Sequence, residues 1–219
     1  MDNNYTKKLE EVIKQMLKPL KKIPLNLVIE GLSGYKIIPF NEKVMQDKVL
    51  LKDLIKVANK AGVEFNKSNN MRPRPNEVGN DIEPFIKEAL NTIGYKADTP
   101  KTNSGGKKST GYPDIEFIDK FNRFNYLECK TFNIATLTSS MRSFYLSPSD
   151  KFKITKNAHH FIMSFEIFVE KFIGKNNVYK CKSWKILSIE NLDVDVKYEF
   201  NADNSRLYSK ELIIAEGNL

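Results

Sequence analysis

The spacing of apolar positions divides this chain into helical and extended stretches. Leu9, Val12, Ile13, Met16, Leu17 and Leu20 recur at intervals of three and four, which predicts an amphipathic helix over 5–20 with its stripe turned toward a core. Residues 25–29 and 35–40 flank Gly31-Leu-Ser-Gly34 and predict a hairpin, while a second helix is expected over 42–61, stopped by Gly62. Residues 66–76, with Arg72-Pro-Arg-Pro75, read as a loop. The run 85–90 is helical in character, and Asn80-Asp-Ile-Glu83 before it fits a capping box with Asn80 as N-cap. Two alternating runs, 114–119 and 124–130, lie either side of the polar Lys120-Phe-Asn-Arg123 and predict a second hairpin. Residues 161–169 predict a core strand, and 184–187, 194–200 and 212–215 further extended segments. Mixed in this way, helices and strands predict an α/β fold with a central mixed sheet flanked by helices.

Chemistry concentrates in the second hairpin. With its turn centred on Phe121, cross-strand partners are equidistant from that residue, and Asp114 falls opposite Glu128. Side chains alternate along a strand, so Glu128 and Lys130 share one face while Leu127 and Cys129 take the other. A slip of one residue reverses both assignments. Two carboxylates side by side repel, and burying them is costly unless a cation lies between them, so an oxygen-only pair is a seat for Mg²⁺. The backbone carbonyl of Cys129 offers a further oxygen ligand. Lys130 can then orient a water or stabilise charge developing on a phosphate. The same three side chains also suit a surface hairpin with a cross-strand ion pair.

Pro113-Asp114 followed by Glu128-Cys129-Lys130 resembles the signature of the PD-(D/E)XK nuclease superfamily, which includes most type II restriction endonucleases. Gly79-Asn-Asp-Ile-Glu83 resembles the superfamily's Gly-x-x-x-Glu on the helix before the hairpin. The resemblance covers roughly residues 72–170. It implies a restriction-endonuclease-like fold and a Mg²⁺-dependent type II site-specific deoxyribonuclease. Asp114 and Glu128 would hold the metal, Lys130 would assist the attacking water, and Glu83 would bind or orient a second metal, with Glu77 the alternative. It further implies double-stranded DNA as substrate, a homodimer, and a cognate DNA methyltransferase as functional partner. A DNA repair or Holliday-junction-type nuclease of the same fold, and a non-catalytic DNA-binding protein, remain the other readings.

Charge agrees with a polyanionic partner: 35 Lys and Arg against 27 Asp and Glu give a net charge of +8 over 219 residues. Arginine is scarce, and Arg72, Arg74, Arg123 and Arg142 all lie in sequence near the proposed site. Arg72, Arg74 and Arg142, with Lys107 and Lys108 in a basic glycine-containing loop, are the expected DNA contacts. That loop, Lys101 to Gly111, is not a nucleotide-binding P-loop, because Lys107 is followed by Lys108 and the loop leads into a strand. No nucleotide cofactor is expected. His159 and His160 are the only histidines and point to opposite strand faces, against a zinc site. Two cysteines without Cys-x-x-Cys spacing, no apolar leader and no membrane-length apolar run lead to the expectation of a cytoplasmic protein. Residues 1–70 are expected to form an N-terminal helical and hairpin subdomain for DNA reading or dimerisation, and 71–219 the catalytic domain.

Overall fold

The computed structural model describes residues 3–16, 18, 20–138, 143–197, 206 and 212. Its elements in chain order are α1 (Asn3–Met16), β1 (Ile23–Pro24), α2 (Leu25–Ser33), α3 (Met45–Lys67), β2 (Asn70–Arg72), α4 (Val78–Thr92), β3 (Lys96–Asp98), β4 (Ile115–Ile118), β5 (Phe124–Phe132), β6 (His159–Ile173), β7 (Asn176–Ser188) and β8 (Asp193–Val194). Six strands form one sheet in the order β2-β7-β6-β5-β4-β3, in which only β5 and β6 run parallel. With helices packed on it, this is the mixed α/β architecture expected. Two compact units are present: residues 24–192, and residues 1–23 with 193–219. The boundary expected near residue 70 falls inside the larger unit, where α3 shares one core with the sheet.

That core explains α3 and α4. Leu50, Leu54, Val57, Ala58, Ala61 and Phe65 line one side of α3, and Val78, Ile82, Ile86, Ala89 and Leu90 one side of α4. These helical stripes close over Ile115, Phe117, Leu127, Cys129, Met163 and Phe165 from the sheet. Gly62 does not stop α3; the helix runs through it to Lys67. A Cβ there would lie 3.3 Å from Cε1 of the buried Phe165, so the glycine permits close helix–sheet approach rather than chain reversal.

Four further expectations are corrected. The first strand of the hairpin predicted over 25–29 and 35–40 is instead helix α2, in which Leu25 and Ile29 are buried while Leu27 between them is exposed, and Gly34 at φ 77° closes the helix with its N–H on the Glu30 carbonyl; in the second, Ile37 makes an isolated bridge to Ala158. Asn80 is not an N-cap: a 3-10 turn at Pro75–Glu77 leads directly into α4 at Val78, so Asn80 lies inside the first turn. Part of the loop expected over 66–76 is α3 and the edge strand β2, paired with β7 through Asn70↔Tyr179 and Arg72↔Asn177. In the smaller unit α1 ends at Met16, and Leu9, Val12 and Ile13 on its stripe are largely exposed rather than core. The strand expected over 161–169 is part of β6, and that over 184–187 part of β7. Most of 198–215 lies outside the described residues.

Candidate metal and phosphodiester site

The β4–β5 turn sets the register on which the site depends. Asn122 takes a left-handed φ of 60°, and Asp119 Oδ1 accepts the N–H groups of Phe121 (2.8 Å) and Arg123 (3.0 Å). Arg123 Nε donates to Asp119 Oδ2 at 2.9 Å, and its Nη1 reaches the buried Asp47 at 2.5 Å. Burial pushes the Asp47 carboxyl up, but hydrogen bonds from Arg123 and the Asn41 N–H, with the neighbouring charges, hold it below its usual range. Arg123 is therefore committed to the turn at the far end of the hairpin from Asp114, not to the site.

Pairing then runs Ile118↔Phe124, Phe117↔Asn125, Glu116↔Tyr126 and Ile115↔Leu127, the register centred on Phe121. Asp114, one step beyond β4, comes beside Glu128. Its Oδ2 accepts the Cys129 N–H at 2.8 Å, a bond that ties the aspartate to β5. Leu127 and Cys129 join the core, while Glu128 and Lys130 share the other face, where Lys130 Nζ donates to Glu128 Oε1 at 2.7 Å.

Electrostatically the pair is undercompensated. Glu128 is 5% exposed, its Oε1 serves Lys130, and its buried Oε2 has no hydrogen-bond partner among the described residues. Burial, then the charge of Asp114, raise the Glu128 carboxyl to about 7, against the pull of Lys130 and Lys153. Asp114 is also raised, chiefly by burial and further by the charge of Glu83, while the Cys129 N–H, Lys130 and Lys153 oppose. Both carboxyls thus remain disfavoured as anions in spite of the two lysines. No three His, Cys, Asp or Glu side chains among the described residues cluster closely enough to cage a metal by themselves. The donor set nevertheless suits Mg²⁺, which takes one or two carboxylates and fills its remaining positions with water and phosphate oxygens.

Glu83 on α4 is within electrostatic reach of Asp114 and holds Lys87 at 2.9 Å. Glu77 faces Arg72 instead, at 4.0 Å, and Arg72 is forked on Asp81 at 2.7 and 2.5 Å. Of the expected DNA contacts, Arg72 is thus already paired, Lys107 is paired with Asp98 at 2.5 Å, Arg74 is exposed, and Lys108 is half-buried at the rim of a cleft. Arg142 lies outside the described residues. His159 and His160 point apart: His159 Nδ1 meets the Ile38 carbonyl at 2.9 Å, and His160 Nδ1 the Tyr112 hydroxyl at 2.6 Å. Burial lowers the His160 imidazole to about 3, so it is a neutral packing residue. Both cysteines are free.

One group was not expected. Lys153 is 2% exposed, within electrostatic reach of Asp114, Glu128 and Glu83, and its Nζ has no hydrogen-bond partner among the described residues. Set between Phe152 and Ile154 in a chain with 35 basic residues, it carries no mark in the sequence.

The model of the type II restriction enzyme MjaV family matches residues 19–211. A protein of Methanocaldococcus jannaschii named type II restriction enzyme MjaV is 42% identical over 233 aligned residues, which take in 100% of this chain and 99% of the relative. No solved structure matches.

Proposed function

The chain belongs to the MjaV family of type II restriction enzymes, hence is a site-specific deoxyribonuclease, and on that premise we propose that Asp114 and Glu128 hold Mg²⁺ at the mouth of the β4–β5 hairpin while Lys130 serves the phosphodiester. The observation that carries this reading is the buried Glu128 Oε2 without a partner, beside a second desolvated carboxylate. A bound Mg²⁺ supplies positive charge against the phosphoryl oxygens and makes water more acidic.

This chain's own groups do the rest. Asp114 is held by the Cys129 N–H, so its free oxygen is aimed without loss of rotamer freedom on binding. The Cys129 carbonyl is offered as a further ligand, and Glu83 as the support of a second ion, a role its reach to Asp114 favours over Glu77. Lys130 is oriented by Glu128 Oε1, and its partly exposed ammonium can donate to the attacking water or to a phosphoryl oxygen. Water oxygen bonds to phosphorus as the bond to the bridging sugar oxygen breaks, with inversion, and Lys130 stabilises the charge that develops. Arg74 and Lys108 contact the DNA backbone, and Arg142 completes the set.

We further read the enzyme as a homodimer that places one such site on each strand, accompanied in the cell by a methyltransferase that protects the same sequence. Among the described residues no helix is long and apolar enough to cross a membrane, which agrees with action on cytoplasmic DNA. Digestion of mixed genomic DNA in Mg²⁺ tests the reading. Discrete fragments, abolished by Asp114→Ala, are expected; nicks confined to branched or damaged DNA would instead make it a repair nuclease.

A further inference from the structure

Near the carboxylate pair, two buried groups of opposite sign each carry an atom without a hydrogen-bond partner among the described residues. Glu128 Oε2 lacks a donor, and Lys153 Nζ lacks an acceptor. They do not neutralise each other by a hydrogen bond, although each lies in the other's field. Lys130, not Lys153, takes the Glu128 carboxylate. A buried ammonium left unpaired is unfavourable unless something outside the chain completes it.

The space beside Lys153 indicates what that is. Lys153 lines a cleft of about 50 Å³ together with Lys108, Lys151, Thr110, Ser147 and Ser149. That is several water molecules' worth of room, enough for a phosphate group. Three lysines and five hydroxyl-bearing residues, with apolar side chains between them, therefore line one recess, and none of the described residues lining it is acidic. Tyr112 also lines it, and the chain leads from there through Pro113 to Asp114. The recess is thus next to the carboxylate pair rather than on a remote face.

We propose that this cleft is a phosphate-binding pocket for the DNA strand being cut, with Lys153 as its buried anchor and Lys108 and Lys151 at its rim. It rests on the nuclease reading for its ligand, but not on the identity of the metal. A phosphodiester seated there gives Lys153 Nζ its acceptor, while the cation between Asp114 and Glu128 gives Oε2 its partner. Filling either one favours filling the other, because each brings the charge that its neighbour's burial lacks. Lys153 acts on the substrate's backbone and carries no base discrimination.

The experiment compares wild type, Lys153→Met and Asp114→Ala in EDTA, with a duplex carrying the cleavage site mapped on genomic DNA, by fluorescence anisotropy across a series of KCl concentrations. Lys153→Met should keep or raise the melting temperature, bind the duplex about tenfold more weakly, and flatten the plot of log K against log salt by about 0.9, one phosphate contact. Asp114→Ala should lose cleavage in Mg²⁺ yet keep the wild-type salt slope. An unchanged slope for Lys153→Met overturns the pocket, whether or not the protein cleaves, because a merely structural lysine alters stability without altering counterion release. If wild type and Asp114→Ala fail to differ in cleavage while the slope still falls, the pocket stands and the metal assignment fails. Should Lys153→Met not fold, the double variant Lys108→Met with Lys151→Met is read on the same plot; a slope equal to wild type overturns the proposal there.

Discussion

Replacing Glu128 by Gln should stabilise the metal-free protein, and only at neutral to alkaline pH. The carboxyl rises from its usual 4.5 to about 7, through burial and the charge of Asp114, with Lys130 and Lys153 opposing. For an acid whose folded value is raised, the unfolded chain ionises first. Stability is therefore intact below about pH 4.5, is lost progressively up to about pH 7, and is constant beyond. A shift of that size is roughly 3 kcal/mol at pH 8 and under about 1 kcal/mol at pH 5. Gln keeps an oxygen for Lys130 Nζ but weakens that charged bond, which offsets part of the gain. About 2 kcal/mol remains, or roughly 4–8 °C in Tm for a chain of this length. Differential scanning fluorimetry in EDTA at pH 8 and pH 5 measures it. Glu128→Gln should melt several degrees higher than wild type at pH 8 and within a degree or two at pH 5. Equal Tm at pH 8, or a gain that does not depend on pH, would refute the claim that this carboxylate is desolvated and short of a cation.

Three other outcomes are expected. Lys130→Met should reduce the cleavage rate about 10²–10³-fold, while DNA retention in EDTA changes little; parallel loss of both would give Lys130 a structural role. Arg123→Met strands the buried Asp47 and Asp119 and should destabilise by about 3–5 kcal/mol, seen as a large fall in Tm with the Asp114–Glu128 site unchanged in any protein that remains folded. Gly62→Val, which forces a branched side chain against Phe165, should cost about 1–3 kcal/mol by chemical denaturation, and a neutral result would show that α3 can lift from the sheet.

What could be read from the sequence was local. Centring the turn Lys120-Phe-Asn-Arg123 on Phe121 was enough to bring Asp114 opposite Glu128, and alternation then set Glu128 and Lys130 on one face. The histidine pair was legible for the same reason. Elements decided by tertiary packing were not. Gly62 has the character of a helix stop, and only the proximity of Phe165 makes it a contact residue. Residues 25–29 are a short, mostly apolar run of strand character, yet Leu27 is exposed between the buried Leu25 and Ile29, which is a helix spacing. Arg123 is close in sequence to the site but is drawn away by Asp47, 76 residues earlier. Lys153 becomes visible only once the chain brings residues 108–112 and 146–154 to one cleft.

The most direct measurement is anomalous diffraction from crystals grown or soaked with Mn²⁺ as a stand-in for Mg²⁺. A strong peak is expected between the carboxylates of Asp114 and Glu128, absent from crystals of Asp114→Ala. Mn²⁺ bound at another cluster of acids, with the Glu128 carboxylate still turned only to Lys130, would contradict that expectation.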